Sequence, residues 1–229
     1  MNPHLPTWPL ALLAGGLPLL GTTIAYPLSI HLGLVEACNP FIDGCISISR
    51  AARHGLPNYL FRALLLPAAA LQGLVWWLCA VWLRSALPAG TRPATGLRAL
   101  PWIGLLAAMF LVLYGTFLGT EGDTYRWMRR YGIVVYFGGT TLAMVCATGA
   151  LRASRWRDHA LVRAMLALCV ALPLLGLANS LLPLALPGAA TRDAVQNTTE
   201  WWGSLVFTLY FFALARLWRV AHFELGVAD

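Results

Sequence analysis

The sequence contains no lysine, and charged residues of any kind are scarce. All sixteen basic residues are arginine, and charged residues make up 11% of the 229 positions, about half of the share that a soluble domain carries. Apolar runs of about 20 residues, long enough to cross the hydrocarbon core of a bilayer, recur along the whole chain. The composition therefore excludes a soluble globular protein. It predicts an all-α, polytopic membrane protein with a single integral membrane domain, residues 1–229.

The sequence also lacks the motifs of common enzyme classes. It has no Gly-x-Ser-x-Gly elbow, no phosphate-binding glycine-rich loop and no dinucleotide fingerprint. No Cys-x-x-Cys or His-x-x-x-His pair occurs and the five histidines are scattered, so we predict neither a metal site nor a cofactor. The net charge of +7 does not indicate nucleic-acid binding, because basic residues are expected beside membrane helices.

Hydropathy predicts six spans with a charge difference between their two sides. The predicted spans are roughly 9–33, 59–83, 99–120, 132–151, 160–187 and 200–221. The side that holds both termini has nine arginines and three acids, a net charge of +6, whereas the other has seven arginines and six acids, a net charge of +1. The positive-inside rule then places both termini in the cytoplasm. Exclusive use of arginine suggests a GC-rich coding genome and favours the inner membrane of a bacterium.

The first exterior loop, "EACNPFIDGCISISRAARHG" at 36–55, is more polar than its surroundings. Asn-Pro at 39–40 and Asp-Gly at 43–44 are turn signals. Cys38 and Cys45 can form a disulfide that fixes the loop if this side of the membrane is oxidising. The alternative is a pair of free, buried thiols.

The second half of this loop is predicted to form a short helix, which ends before the glycine and proline that follow. Ser47, Arg50, Arg53 and His54 have three-to-four spacing and would lie along one stripe of that helix. Such a stripe can contact phosphate headgroups, or it can simply face water. Both interpretations stay open.

Three ionisable residues at the exterior ends of the spans are candidates for a site. Arg62 lies just inside the second span, where an arginine must reach the interface or pair with an acid. Glu121 and Glu200, at the exterior ends of spans three and six, are the obvious partners. Costly intramembrane charges mark functional sites, although a structural ion pair is the alternative. Thr198 or Thr199 can also cap a helix that begins at Glu200, which explains this acid without catalysis.

Small and helix-breaking residues recur within the spans. Gly138-Gly139 predicts close helix packing. Three cysteines within the spans are interpreted as small apolar side chains: Cys79, Cys146 and Cys169. Four prolines within the spans predict kinks, which can open cavities in a bundle: Pro18, Pro27, Pro67 and Pro173.

Three short stretches resemble a known family. They are "EACNPFIDG…GLPNYLFR" from the first exterior loop into span two, "LVLYGTFLGTEGD" at the end of span three and "NTTEWWGSLVFT" at the start of span six. Together they are similar to the Frag/DRAM/Sfk superfamily, which includes a protein that remodels the lipid of GPI anchors and a fungal cell-wall protein linked to ceramide remodelling. The resemblance implies a six-helix fold and action on lipids. It points to Cys38, Asn39, Arg62, Glu121 and Glu200. The histidine that family members often keep after the third span is replaced here by Tyr125 and Arg126, which puts a proton-transfer role of that loop in doubt.

The leading hypothesis is a membrane protein that recognises or remodels a phospholipid or glycolipid at the exterior leaflet, by acyl transfer or hydrolysis if it is an enzyme. Its partner is then a membrane lipid with an anionic headgroup, and the first exterior loop is a lid over the site. Glu121 and Glu200 are the predicted acid/base groups. The predicted headgroup-binding residues are Asn39, Arg50, Arg53, His54 and Arg62. A non-catalytic scaffold or regulator is the alternative. A small transporter is less favoured, because few charges lie at the span centres and no repeat is visible.

Overall fold

The computed structural model describes residues 4–87, 90, 92–185 and 188–226. Within them, six helices are long and apolar enough to cross a membrane, which confirms the predicted all-α, six-span fold. The elements in chain order are β1 (His4–Pro6), α1 (Trp8–His31), α2 (Ile48–Ala51), α3 (Gly55–Ser85), α4 (Thr95–Phe117), α5 (Asp123–Arg152), α6 (Ala160–Ala185), α7 (Ala189–Val220) and β2 (Glu224–Gly226). All of these helices except the four-residue α2 are candidate spans.

The six long helices form a closed ring. Each packs against the next along the chain, and α7 packs back against α1. The two short strands pair antiparallel with Leu5 opposite Leu225, and the Thr7 hydroxyl donates to Phe223 O at 2.7 Å. Both ends of the described chain therefore lie at one end of the bundle, which we call the terminal face. The opposite end, which carries residues 32–54, is called the cap face.

Two helices begin more than two turns earlier than the hydropathy pattern predicts. α5 begins at Asp123 and α7 at Ala189, because their first turns are helical but too polar to raise a hydropathy average. The 32 residues of α7 extend over about 48 Å, whereas the hydrocarbon core is about 30 Å thick. The predicted helix start at Glu200, with a threonine cap, is therefore wrong. The last two residues of the fifth predicted span, 186–187, lie outside the described residues.

Aromatic side chains fill the half of the ring nearer the terminal face. Five of them are almost fully buried: Trp76, Trp82, Tyr210, Phe211 and Trp218. The backbone of α4 approaches them closely at Gly104, where a Cβ atom would lie 2.3 Å from Trp76 Cβ. Among the described residues, this half of the bundle is therefore a closely packed aromatic core.

The two adjacent glycines of α5, Gly138 and Gly139, have different surroundings. A Cβ atom on Gly139 would lie 2.9 Å from Ala107 Cβ, so this glycine allows α4 and α5 to approach each other. The packing prediction is therefore confirmed for Gly139. A Cβ atom on Gly138 would meet nothing within 4 Å, so for that residue the prediction is wrong.

Candidate functional site

The loop between α1 and α3 is folded into a cap. The structure pairs Cys38 with Cys45, whose Cα atoms lie 6.6 Å apart. The Asn39 N–H donates to Asp43 Oδ2 at 2.9 Å, and the Asn39 side chain accepts the Phe41 N–H at 3.1 Å. The predicted turn is therefore formed, and the Asn39 side chain is engaged within it. Oxidation of the two cysteines in the membrane stays a prediction.

The helix predicted in this loop is present, but it is short. Its N-terminal cap is the Ser47 hydroxyl, which accepts the Arg50 N–H at 3.2 Å. Arg53 and His54 follow the end of α2, so the predicted stripe does not continue along one helix. Arg50 forms an ion pair with Asp193 at 3.6 Å, His54 is exposed, and Arg53 Nε is buried without a hydrogen-bond partner among the described residues.

The cap is fastened to the first turns of α7. Three side chains of α7 donate to backbone carbonyl groups of the cap: Asn197 to Gly44 at 2.7 Å, Trp201 to Ile46 at 2.8 Å and Trp202 to Phe41 at 3.1 Å. Gly44 has a φ of +60°, and a Cβ atom there would lie 2.1 Å from Ala194 O. Only glycine fits this conformation and this contact. The loop is a packed cap and not a plain linker.

Glu200 lies beneath the cap and is half-buried. Its Oε1 atom accepts the Ser49 N–H at 3.3 Å. Its side chain lines both of the cavities described below. Of the two predicted acid/base residues, Glu200 is the one that the fold places at a cavity.

The predicted cluster of Arg62, Glu121 and Glu200 is not formed. None of the three makes an ion pair with any residue that the structure describes. Glu121 is exposed in a loop between Gly119 and Gly122, both with positive φ, and Arg62 is half-buried on α3. Neither Arg62 nor Glu121 lines the two cavities. Their proposed roles in headgroup binding and catalysis stay predictions.

Two other polar side chains, Arg129 and Asn58, make the contacts where the cap, α3, α4 and α5 meet. Arg129 of α5 donates to two carbonyl groups at the C-terminal end of α4, where a cation is favourable because unpaired carbonyl groups concentrate there. The Asn58 side chain donates to Ala52 O at 2.9 Å and to Leu118 O at 3.2 Å. These contacts hold the cap, α3, α4 and α5 together.

The helix ring encloses a small chamber beneath the cap, with polar groups set into a mostly apolar lining. Its volume is about 50 Å³, enough for roughly three water molecules. Its polar lining consists of Thr22, Gln72, Tyr114, Tyr136, Glu200, Ser204 and Thr208. Phe211, which also lines the chamber, belongs to the aromatic core that fills the half of the bundle nearer the terminal face. The chamber is therefore closed on that side.

A larger groove of about 610 Å³ lies on the side of the bundle, between α5, α6 and α7. It occurs where α5 and α6 touch less than the other neighbouring pairs of the ring. Its α5 wall runs from Ile133 to Val145, about 18 Å at 1.5 Å per residue. Gly138 and Gly176 line it, and a Cβ atom on either would meet nothing within 4 Å. The groove is therefore open and apolar over most of its length.

The cap-face end of the groove is polar. Four polar side chains from α6 and α7 meet there: Asn179, Gln196, Thr199 and Glu200. Thr199 Oγ1 lies 3.2 Å from Asn179 Oδ1 and donates to it. Glu200, Ile133 and Phe137 line both the groove and the central chamber, so they form the wall between the two spaces.

Sequence reasoning missed two of the groove residues. Asn179 had a signal, because an amide within an otherwise apolar span is costly and marks a candidate site. Gln196 had none, since it lay outside the predicted span. The kink prediction agrees with the cavities at two positions: Pro18 lines the chamber and Pro173 lines the groove, whereas Pro27 and Pro67 line neither.

The described residues contain no group of three or more side chains that could hold a metal ion. Comparison of the chain with protein-family models, with curated proteins and with solved structures finds no match. The resemblance to the Frag/DRAM/Sfk superfamily therefore stays a prediction. The chain is a polytopic membrane protein whose six helices close into a ring, with a small chamber that contains polar groups under a cap and an apolar groove on its side.

Proposed function

We propose that this protein binds a membrane lipid and holds one acyl chain in the groove between α5, α6 and α7. The observation that supports this proposal is the groove itself: about 610 Å³, apolar along its length and polar at one end. That volume falls within the roughly 300 to 1,000 Å³ of typical small-molecule sites. A lipid has the same distribution of apolar and polar groups as the groove, because its apolar acyl chain ends in a polar ester or amide.

The length of the groove matches one leaflet. Its α5 wall extends about 18 Å from the cap-face side, and half of a hydrocarbon core of about 30 Å is about 15 Å. A chain lying in the groove would therefore belong to a lipid of the leaflet nearer the cap face. If both termini are cytoplasmic, as the charge difference favours, that leaflet is the exterior one, in a bacterial inner membrane.

Access from the bilayer also favours a lipid over a soluble ligand. The groove opens sideways between α5 and α6, and α6 is the least buried of the six spans. A soluble molecule would have to cross hydrocarbon to enter the groove, whereas a lipid chain can move in from the bilayer. The aromatic core that the described residues form in the terminal half of the ring does not favour a transporter, which needs a polar passage to both faces.

Glu200 is the residue that distinguishes a protein that only binds a lipid from one that also catalyses a reaction on it. The amides of Asn179 and Gln196 can donate to an ester carbonyl group at the end of the groove, and a carboxylate can accept a proton from an attacking water or alcohol. Acyl transfer or hydrolysis would require Glu200, whereas lipid recognition would not. Glu200→Gln separates these versions, because the amide oxygen can still accept the Ser49 N–H.

The binding proposal is tested by filling the groove. Gly138→Leu and Gly176→Leu place a side chain into open space along its wall, and neither meets backbone within 4 Å. Gly149→Leu is the matched control: it lies on the same helix as Gly138, is exposed, has equally open surroundings and does not line the groove. Leucine is also the better helix former, so folding is preserved.

We expect each groove variant to co-purify in detergent with about tenfold less lipid than the unaltered protein. Mass spectrometry measures this lipid content relative to the amount of protein. Gly149→Leu should retain it. Equal lipid content in all three variants would show that the groove holds no lipid, and the scaffold hypothesis would then be favoured.

A further inference from the structure

α5 and α7 run in the same direction, so their residues can be matched by height. Tyr210 Oη donates to Met144 O across a sequence separation of 66, and Gly203 contacts Phe137 at the same separation. Other contacts between these helices join Thr148 to Tyr210 and Phe137 to Phe207, at separations of 62 and 70. A residue of α5 therefore lies within about one helical turn in height of the residue 66 positions later in α7. Because α5 and α7 are two walls of the groove, this relation shows which side chains face each other at its mouth.

Two arginines continue the groove walls toward the cap face. Arg130 lies one turn before Val134 of the α5 wall, and residues four apart share a helix face. The height relation places Arg130 about level with Gln196. Arg192 lies one turn before Gln196 on α7 and so stands above the same opening. The polar end of the groove is therefore followed outward by two guanidinium groups, one from each wall.

These two arginines are available to a ligand. The other two arginines in the first turns of α5 are engaged, because Arg126 pairs with Asp123 and Arg129 donates to carbonyl groups. Arg50 of the cap pairs with Asp193. Arg130 and Arg192 are exposed, and neither makes an ion pair with a residue that the structure describes. The groove mouth thus has unpaired positive charge on both sides.

A stacked aromatic pair marks this level as the membrane interface. The rings of Trp127 and Tyr131 lie 4.9 Å apart with an interplanar angle of 22°, and both side chains are exposed. Tryptophan and tyrosine collect at the headgroup level of membranes because one part of each ring is apolar and another is polar. Arg130 lies between them in sequence, so we infer that its guanidinium group lies near the depth of lipid phosphates.

The geometry points to a glycerophospholipid as the occupant, with its phosphate bound by Arg130 and Arg192, its ester region beside Gln196 and Asn179, and an acyl chain in the groove. This inference rests on the proposed lipid binding and adds the headgroup class. Guanidinium groups favour phosphate because their N–H groups match its oxygen atoms in pairs. The sequence pattern favours Arg50, Arg53 and Arg62 for this role, but none of them lies on one of the three helices that form the groove walls.

The test uses native mass spectrometry of the full chain in detergent with two lipids that share their acyl chains, dioleoylphosphatidylglycerol and dioleoylglycerol. The unaltered protein should bind the phospholipid at least tenfold more tightly. Arg130→Gln and Arg192→Gln should each reduce that preference by about tenfold, the size expected for a lost charge-assisted contact. Arg98→Gln, an exposed arginine on α4 near the terminal face, is the control for lost charge and should have no effect.

The remaining outcomes separate the two proposals. Equal affinity for both lipids, with binding still abolished by Gly138→Leu, would overturn the phosphate site and leave groove binding intact. Lack of binding of either lipid would overturn both. Loss of preference in Arg62→Gln and not in Arg130→Gln would move the headgroup site to α3. Competition by millimolar glycerol phosphate would overturn the lipid as occupant, since the phosphate would then bind without an acyl chain.

Discussion

Replacing Gly44 with alanine is expected to detach the cap from α7. The φ of +60° at Gly44 is left-handed, which costs an alanine about 1–2 kcal/mol. The new Cβ atom would also lie 2.1 Å from Ala194 O and 2.6 Å from Thr198 Oγ1, so the two backbones must separate. Separation breaks the buried hydrogen bond from Asn197 to Gly44 O, and an unsatisfied buried group costs about 1–3 kcal/mol. The free energy of cap opening should therefore fall by about 2–5 kcal/mol.

Hydrogen–deuterium exchange of peptides that cover 36–54 measures this change. At about 1.4 kcal/mol for each factor of ten, exchange of the cap amides should accelerate roughly 30-fold to several-thousand-fold, while α3 and α4 should exchange as before. Gly33→Ala is the matched control in the same connection. Its φ is +67°, but a Cβ atom there meets nothing within 4 Å, so this variant isolates conformational strain from steric contact.

The comparison of the two glycine variants separates the effect of backbone strain from that of steric contact with α7. If Gly33→Ala and Gly44→Ala accelerate cap exchange equally, only backbone strain matters and the cap is not packed on α7 as described. If neither changes exchange, the cap is already open in the membrane, and its hydrogen bonds to Asn197 and Trp201 do not stabilise it.

Further predictions concern other fastenings of the fold. Cys38 and Cys45 should resist maleimide in the purified protein and both should react after reduction; labelling before reduction would exclude the disulfide. Thr7→Val should lower the free energy of unfolding by about 1 kcal/mol, because it removes the hydroxyl group that donates to Phe223 O and joins the two chain ends. The measurement is the thermal midpoint in detergent, which should fall. Thr23→Val, at an exposed position, is the control and should change the midpoint little. Asn58→Ala should lower the stability by about 2–3 kcal/mol, because it leaves two buried carbonyl groups without their donor; an unchanged midpoint would contradict that role.

The fold could be predicted from the sequence to a large extent. Each apolar run is close to the length that a bilayer demands, and no other environment tolerates six of them. The helix starts at Asp123 and Ala189 could not be found in this way, because a hydropathy average measures lipid contact and not helicity. For the same reason, hydropathy predicts loops at the polar turns that begin α5 and α7, although the turns of α7 hold the cap.

The sequence predicts one residue of the candidate site, Glu200, but it does not predict how the site residues are arranged. Glu200 is an ionisable residue at the exterior end of a predicted span, and its position at two cavities agrees with that signal. Arg62 and Glu121 had the same signal, but rotation about a helix axis decides which charges meet, and a single sequence does not fix that rotation. The groove depends on a gap between α5 and α6, which is a property of helix packing and has no local sequence pattern.

One helix connects the cap with the groove. Asp193, Asn197 and Trp201 recur every four residues on the face of α7 that holds the cap. Gln196, Thr199 and Gly203 recur every three or four residues on the neighbouring face, which lines the groove. Glu200 lies between these two faces, bound by the cap through Ser49 and open to the groove. Because both faces belong to one rigid helix, a change that loosens the cap must also alter the surroundings of this carboxyl group. Lipid affinity of Gly44→Ala therefore measures how much the polar end of the groove contributes, separately from its apolar walls.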